Sequence, residues 1–417
     1  MKIKGVEVFP VANPAAYIGG PIWMFVRIDT DAGVSGYGEI LAVQSYLRPR
    51  TLAMVVEQVA EDFFVGREVG DFETTFHAYY NSFYSHASDL LKTAIYSGLE
   101  MACWDALGKH LGRPVHTMLG GRFRDRIRTY TYISAPSGDA LGFDFWLQPD
   151  AVGARAGELA AQGFTGLKLD PFPLMTGSEQ QQSQVVPLQW SLEALDRAEA
   201  TIASIRQAVG SRCDVIVGTH GQMTASSALR LAKRLEKFDP LWLEEPVPPE
   251  LADEMALVAR GTSIPITTGE RLSNKWEFAR LIRLQAASIF NLDVSQVGGL
   301  WEAKKIASMA EANYVQIAPH VYGGPFTAAA SFQLGLACPN LLIVEGLGDF
   351  SGFHAELLQE PIIWREGYVM PSERPGLGYT LNEDAARRHA VKDEDRLWGS
   401  LDSTQVTTVS AASDDSR

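Results

Sequence analysis

Two carboxylates close a short apolar run at Leu241-Trp242-Leu243-Glu244-Glu245-Pro246, so a segment of strand type delivers negative charge at its carboxyl end. The same event recurs at Gly269-Glu270, Asn291-Leu292-Asp293, Pro319-His320 and Val344-Glu345, and upstream at Lys168-Leu169-Asp170 and Val217-Gly218-Thr219-His220. Glu244 and Glu270 are the hard oxygen donors that Mg²⁺ prefers. His320 is a candidate general base, and Asp293, one unit earlier, is suited to fix its tautomer and raise its proton affinity. Glu345, kept protonated by its neighbours, would donate a hydrogen bond to charge developing on a substrate oxygen. A cation and an acid facing a base are what removal of a proton α to a carboxylate requires, because the enediolate carries its charge on oxygens that a divalent ion counters well. Taken singly, each residue reads as an ordinary salt-bridged rim residue. As a series they share one cleft, where burying so many ionisable groups is costly and needs a reason.

What must position these residues is an alternation of strands and helices. The steps from His220 through Glu244, Glu270, Asp293 and His320 to Glu345 are 24, 26, 23, 27 and 25 residues, room for one strand, one helix and two loops each. Helical periodicity over Ser226 to Lys237, Lys275 to Leu284 and Leu300 to Ala312 fills the intervals. Sustained for about eight units, this predicts an α/β fold, a (β/α)8 barrel of TIM type whose strand ends converge on one face. Residues 1 to about 40 read differently, as three strands with a hairpin signal at Asp29-Thr30-Asp31-Ala32-Gly33, followed by a helix over Ser88 to Leu111 that Gly112 and Pro114 stop. The expected layout is an N-terminal α+β capping domain over 1–121, the barrel over 122–370, a C-terminal segment at 371–400 that completes the cap through Pro375-Gly376-Leu377-Gly378-Tyr379, and a disordered Ser/Thr/Asp-rich tail at 401–417. The first barrel strand is expected at Arg128 to Ile133 and the second at Phe164 to Lys168, and the polar connection from Pro171 to Gln189 is a candidate lid.

With 417 residues, 46% of them hydrophobic, the chain can fill more than one core. A formal charge of −14 without a Lys/Arg run argues against nucleic acid and anionic membrane surfaces as partners. No apolar run approaches the ~20 residues of a membrane span. Met1 to Val8 alternates like a strand and not like a signal peptide, so a cytoplasmic location is expected. Cys103, Cys213 and Cys338 read as buried thiols.

Ser97-Gly98-Leu99-Glu100-Met101-Ala102-Cys103-Trp104-Asp105-Ala106-Leu107-Gly108-Lys109, ending in Leu119-Gly120-Gly121, resembles the helix that closes the cap domain in the mandelate racemase branch of the enolase superfamily. Glu244-Glu245-Pro246, Gly269-Glu270-Arg271, Asp293 before Gly298-Gly299, and Pro319-His320 resemble the barrel motifs of its sugar-acid dehydratases. The resemblance implies Mg²⁺ held by Glu244 and Glu270, a base dyad of His320 and Asp293, an enediolate stabilised by Glu345, and a β-hydroxyl whose departure His220 assists. Lys168 maps onto the first lysine of the second-strand motif. Asp170 stands where racemases of the branch carry a second lysine, which disfavours two-base racemisation and leaves β-elimination of water from a small sugar acid. The resemblance also implies cap loops over the barrel mouth, with Tyr17, Trp23, Arg48 and Arg50 as residues that select the substrate, and assembly as a homo-oligomer, while Asp170 and Arg271 are further candidates around the substrate. One position departs from the pattern, because Gly218 stands where the third strand supplies a metal-binding Asp. His220 as a ligand, Asp170 reaching across, or extra water would each repair the gap; His220 is the first candidate, and weak Mg²⁺ binding is the expected consequence. A cycloisomerase or epimerase using the same enolate step, and a binding protein on the same scaffold, are the alternative readings.

Overall fold

A computed structural model of the chain describes residues 1–14, 19–42, 45–82, 86, 88–136, 142–172 and 189–392. Tyr17, most of the connection from Pro171 to Gln189 and the expected tail at 401–417 lie outside the described residues. At the N-terminus, β1 (Ile3–Ala12), β2 (Ile22–Thr30) and β3 (Ser35–Ile40) form an antiparallel sheet in that order, with Gly33 at φ 72° in the predicted hairpin turn. Helices α1 (Pro49–Phe63), α2 (Phe72–Asn81) and α3 (Leu90–Leu111) follow. The Asp89 side chain accepts from the Lys92 N–H at the start of α3, and Gly112 at φ 64° ends it. Gly36 and Gly38 of β3 let α3 come very close: a Cβ on either would lie 2.1 Å from a backbone carbonyl oxygen of the helix.

After a single turn, α4 (Val115–Met118), the chain alternates as the spacing predicts: β4 (Ile127–Tyr132), α5 (Pro149–Ala161), β5 (Gly166–Leu169), α6 (Leu192–Val209), β6 (Asp214–Gly218), α7 (Ala225–Leu235), β7 (Trp242–Glu244), α8 (Ala252–Gly261), β8 (Ile266–Thr268), α9 (Lys275–Leu284), β9 (Ile289–Phe290), α10 (Gly299–Glu311), β10 (Gln316–Ile317), α11 (Pro325–Leu336) and β11 (Val344–Glu345). Strands β4 to β10 pair in parallel in chain order, and β11 pairs with β4, Val344 opposite Thr129. Ile317 closes the remaining gap by donating to the Asn340 carbonyl (3.0 Å) and accepting from the Leu342 N–H (2.9 Å). The strands therefore form a ring, the predicted barrel. Tyr130, Ile216, Trp242, Ile289, Ala318 and Ile343 pack together inside it, while the other strand faces pack under the helices.

After the barrel, the described residues include α12 (Phe353–Glu356), β12 (Ile363–Arg365), β13 (Tyr368–Met370) and α13 (Glu383–Arg388). The chain returns to the N-terminal elements: the Leu377 N–H donates to Asp105 (2.8 Å), the Val391 N–H to the Pro10 carbonyl (3.1 Å), and Arg27 pairs with Glu383 (2.6 Å). Carboxylates seated on helix N-termini join cap to barrel. Glu100 of α3 accepts from the Leu300 (2.8 Å) and Trp301 (2.9 Å) N–H groups at the start of α10, beside Ser97 Oγ, which accepts from Gly298 and Gly299. Glu39, at the end of β3, accepts from the Gly324, Phe326 and Thr327 N–H groups at the start of α11. Each fills the otherwise unpaired donors of a helix end. All three cysteines are free and buried, as expected.

Candidate active site

Strands β5 to β11 end in the residues singled out by their spacing, and the ring brings their side chains together. Immediately beyond β6 and β7 the backbone turns through left-handed conformations at His220 (φ 46°) and Glu245 (φ 42°), unusual for residues that carry a Cβ. Hydrogen bonds from the Gly221 N–H to the Glu245 carbonyl (2.7 Å) and from the Glu245 N–H to the Thr267 carbonyl (2.9 Å) hold these turns. His320 Nδ1 lies 2.7 Å from Asp293 Oδ2, and its Nε2 lies 3.9 Å from Glu270 and 3.7 Å from Glu345. Opposite, His220 Nδ1 lies 2.9 Å from Asp170 Oδ2, and its Nε2 lies 3.9 Å from the other oxygen of Glu270. Two imidazoles, each backed by an aspartate, thus face one carboxylate from two sides. Both retain some solvent exposure, 21% and 12% of the side chain for His220 and His320, whereas the carboxylates beneath them are buried.

At the centre stands Lys168. Its Nζ lies 2.6 Å from Glu244 Oε1, 3.6 Å from Glu345 Oε1 and 3.9 Å from Glu270 Oε2. Burial alone would strip its charge, but Glu244 and Glu345 more than offset this and hold the ammonium well above its ordinary range. The imidazoles behave likewise. Burial opposes protonation of His320, yet Glu345, Glu270 and Asp293 together raise it to about 10. Burial also works against His220, and the hydrogen bond to Asp170 with the charge of Glu270 raises it nonetheless. Glu270 is held ionised despite its burial by Lys168 and both imidazoles, while burial raises its neighbour Glu244.

The remaining expected residues fall into two groups. Asp170 is fully engaged with His220, Gln222 Nε2 (2.9 Å) and the Phe172 N–H (2.9 Å), so it orients the imidazole. Arg271 is turned onto Glu245 (2.6 Å), a clamp between neighbouring strand ends. Trp23 is 1% exposed, donates from Nε1 to the Gly19 carbonyl (2.8 Å) and packs on the rings of Phe353 and His354. Arg48 is exposed at the start of α1, and Tyr17 lies outside the described residues. Glu345 accepts from the Val321 N–H (3.1 Å) and faces Lys168 and His320, so its near neighbours are donors.

Sequence reasoning passed over the groups that hold these residues. Trp242 Nε1 donates to Glu244 (2.9 Å), Asn291 Nδ2 to Glu270 (3.1 Å), and Ser295 and Gln296 to Asp293. Tyr322 lies with its ring centre 6.4 Å from that of His320. Trp242, Ser295 and Gln296 sit within three residues of the group they support, which is the signal that could have found them, whereas Asn291 reaches Glu270 from the neighbouring strand and gives no such local signal.

A capped barrel with this ring of strand-end residues is the architecture of an enolase-type protein. Residues 10–120 match the family described as mandelate racemase / muconate lactonizing enzyme, N-terminal domain, and residues 151–385 match the enolase C-terminal domain-like family; the chain belongs to the mandelate racemase branch of the enolase superfamily. Among its relatives is a protein of Ralstonia nicotianae named D-galactonate dehydratase, 35% identical over 369 residues that cover 87% of this chain and 90% of the relative. Another of the same name, from Xanthomonas campestris pv. campestris, is 32% identical over 91% of this chain and 94% of its own. A solved structure from Burkholderia SAR-1, described as a mandelate racemase/muconate lactonizing enzyme, superposes with a TM-score of 0.88 at 44% identity over 95% of this chain and 96% of that one.

Dehydratases of this superfamily generally use Mg²⁺. The residues arranged here do not fit that ion. Gly218 offers no side chain, and the Lys168 ammonium stands 2.6 Å from Glu244 and 3.9 Å from Glu270, between the two carboxylates that would hold it. Among the described residues, no group of three His, Cys, Asp or Glu side chains is disposed to hold a metal.

Proposed function

We propose that this protein is a hydro-lyase that removes water from a small sugar acid, an aldonate or aldarate, to give a 2-keto-3-deoxy acid. The observation that carries the reading is the pair of histidine–aspartate dyads whose Nε2 atoms each lie 3.9 Å from a different oxygen of Glu270. His320, oriented through Nδ1 by Asp293, takes the α-proton on Nε2, and the C–H electrons form an enediolate with the carboxylate. His220, oriented by Asp170, gives its Nε2 proton to the β-hydroxyl as the C–O bond breaks and water leaves; the enol then tautomerises to the ketone. Glu345 and Lys168 flank the carboxylate cluster where charge on the substrate oxygens would be met. The relatives named D-galactonate dehydratase support an elimination on a sugar acid, and Asp170 in place of a second lysine supports it over a two-base racemisation.

Incubation of the purified protein with a panel of sugar acids, reading formation of an α-keto acid, tests this directly. Turnover of at least one acid, abolished in His320→Asn with the far-ultraviolet dichroism unchanged, is the expected result. Solvent deuterium exchange or an isomer without keto product would instead make it an epimerase or cycloisomerase.

A further inference from the structure

The geometry points to Lys168 as a built-in cation that takes the place of the divalent metal in this site. Lys168 leaves β5 and crosses over the end of β6 to reach the carboxylates of β7, β8 and β11, so that oxygens of Glu244, Glu270 and Glu345 lie 2.6, 3.9 and 3.6 Å from one nitrogen. What makes room for the crossing is Gly218. A Cβ built there would lie 3.0 Å from Lys168 Cε and 3.5 Å from the Tyr132 hydroxyl. The missing carboxylate and the lysine stem therefore claim the same space, and the chain holds one in place of the other.

Charge and hydrogen bonding point the same way. An ammonium offers three donors and no acceptor, the complement of converging carboxylate oxygens. The second oxygen of Glu244 is already bonded to Trp242 Nε1, and Glu270 Oε2 accepts from Asn291. A divalent ion seated between Glu244 and Glu270 would have to displace the ammonium or stand against it, with like charges repelling at close range in a buried setting. Lys168 is 1% exposed, so it has no path to solvent along which to carry its charge away while the cluster stays packed.

The inference deepens the dehydratase reading, and metal binding tests it without turnover. The full-length protein, stripped by chelator, is titrated with Mn²⁺ as the probe and free ion is read by electron paramagnetic resonance. The expected result is no stoichiometric binding by the wild type, and binding about 10- to 100-fold tighter in the Gly218→Asp/Lys168→Ala variant, which restores a third carboxylate and removes the ammonium. Lys168→Ala alone gains less. One Mn²⁺ bound stoichiometrically by the wild type and lost in Glu270→Gln would overturn the inference, and this arm stands even if the double variant fails to fold. Once a sugar acid is found that the protein turns over, an unchanged rate after chelation supports the inference and a rate lost to chelator and restored by Mg²⁺ overturns it. If no acid is turned over, the dehydratase reading fails while the Mn²⁺ titration still decides the role of Lys168.

Discussion

His320 is where a side chain's surroundings decide what it can do. An imidazole accepts a proton only when neutral, and the carboxylates of Glu345, Glu270 and Asp293 outweigh burial and raise its value from 6.5 to about 10. The base form accordingly gains population as pH rises through that value, so turnover should climb on the alkaline side of neutrality and not level off near pH 7. Glu345→Gln removes a negative neighbour and should move this acid limb to lower pH, read as a shift in the pH profile of kcat/KM whatever happens to its height. His220→Asn should lower kcat by about 10²- to 10⁴-fold, the usual worth of a general acid, with a smaller effect on a substrate whose leaving group needs no proton. Equal rates for wild type and variant would remove His220 from the mechanism.

The contacts between elements give the Ser97 to Lys109 motif its meaning. Its polar members do not reach the barrel mouth; Ser97 and Glu100 cap the start of α10, and Asp105 ties down Tyr37 and Leu377. Glu39 does the same for α11, and Glu39→Ala would leave three N–H groups at that helix end without their acceptor, at about 3 kcal/mol of stability by urea denaturation. Burial raises Glu100 to about 8 in spite of its donors. The folded state then keeps this proton to higher pH than the unfolded chain, so folding loses stability as pH rises from about 4.5 to about 8. Glu100→Gln lacks this titration and should gain on the wild type across that window. A constant difference between their urea midpoints at pH 5 and pH 8 would contradict it.

At the scale of the whole molecule, the returning C-terminal segment binds the cap to the barrel. Arg27 joins Glu383 of α13 to Asp29 of β2, and the Tyr37 hydroxyl also donates to Glu383. These groups are partly exposed, so Glu383→Ala should cost only about 1 kcal/mol, with faster amide exchange in β1 where Val11 bridges Ala390. Among the described residues no helix is long and apolar enough to cross a membrane.

The sequence by itself determined the alternation of strands and helices, the ring it closes, and which polar residues stand at the strand ends, because apolar periodicity and the step of about 25 residues are properties of neighbouring positions. It also marked Gly218 as the place where the usual pattern breaks. Only the tertiary structure decided what fills that break, turned Arg271 onto Glu245, enclosed Trp23 between cap and barrel, and set Asp170 behind His220. Those outcomes depend on the volume and charge that one strand leaves for the next. Lys168 and Gly218 are far apart along the chain but adjacent in the ring, and the direction of a long side chain follows the space it is given.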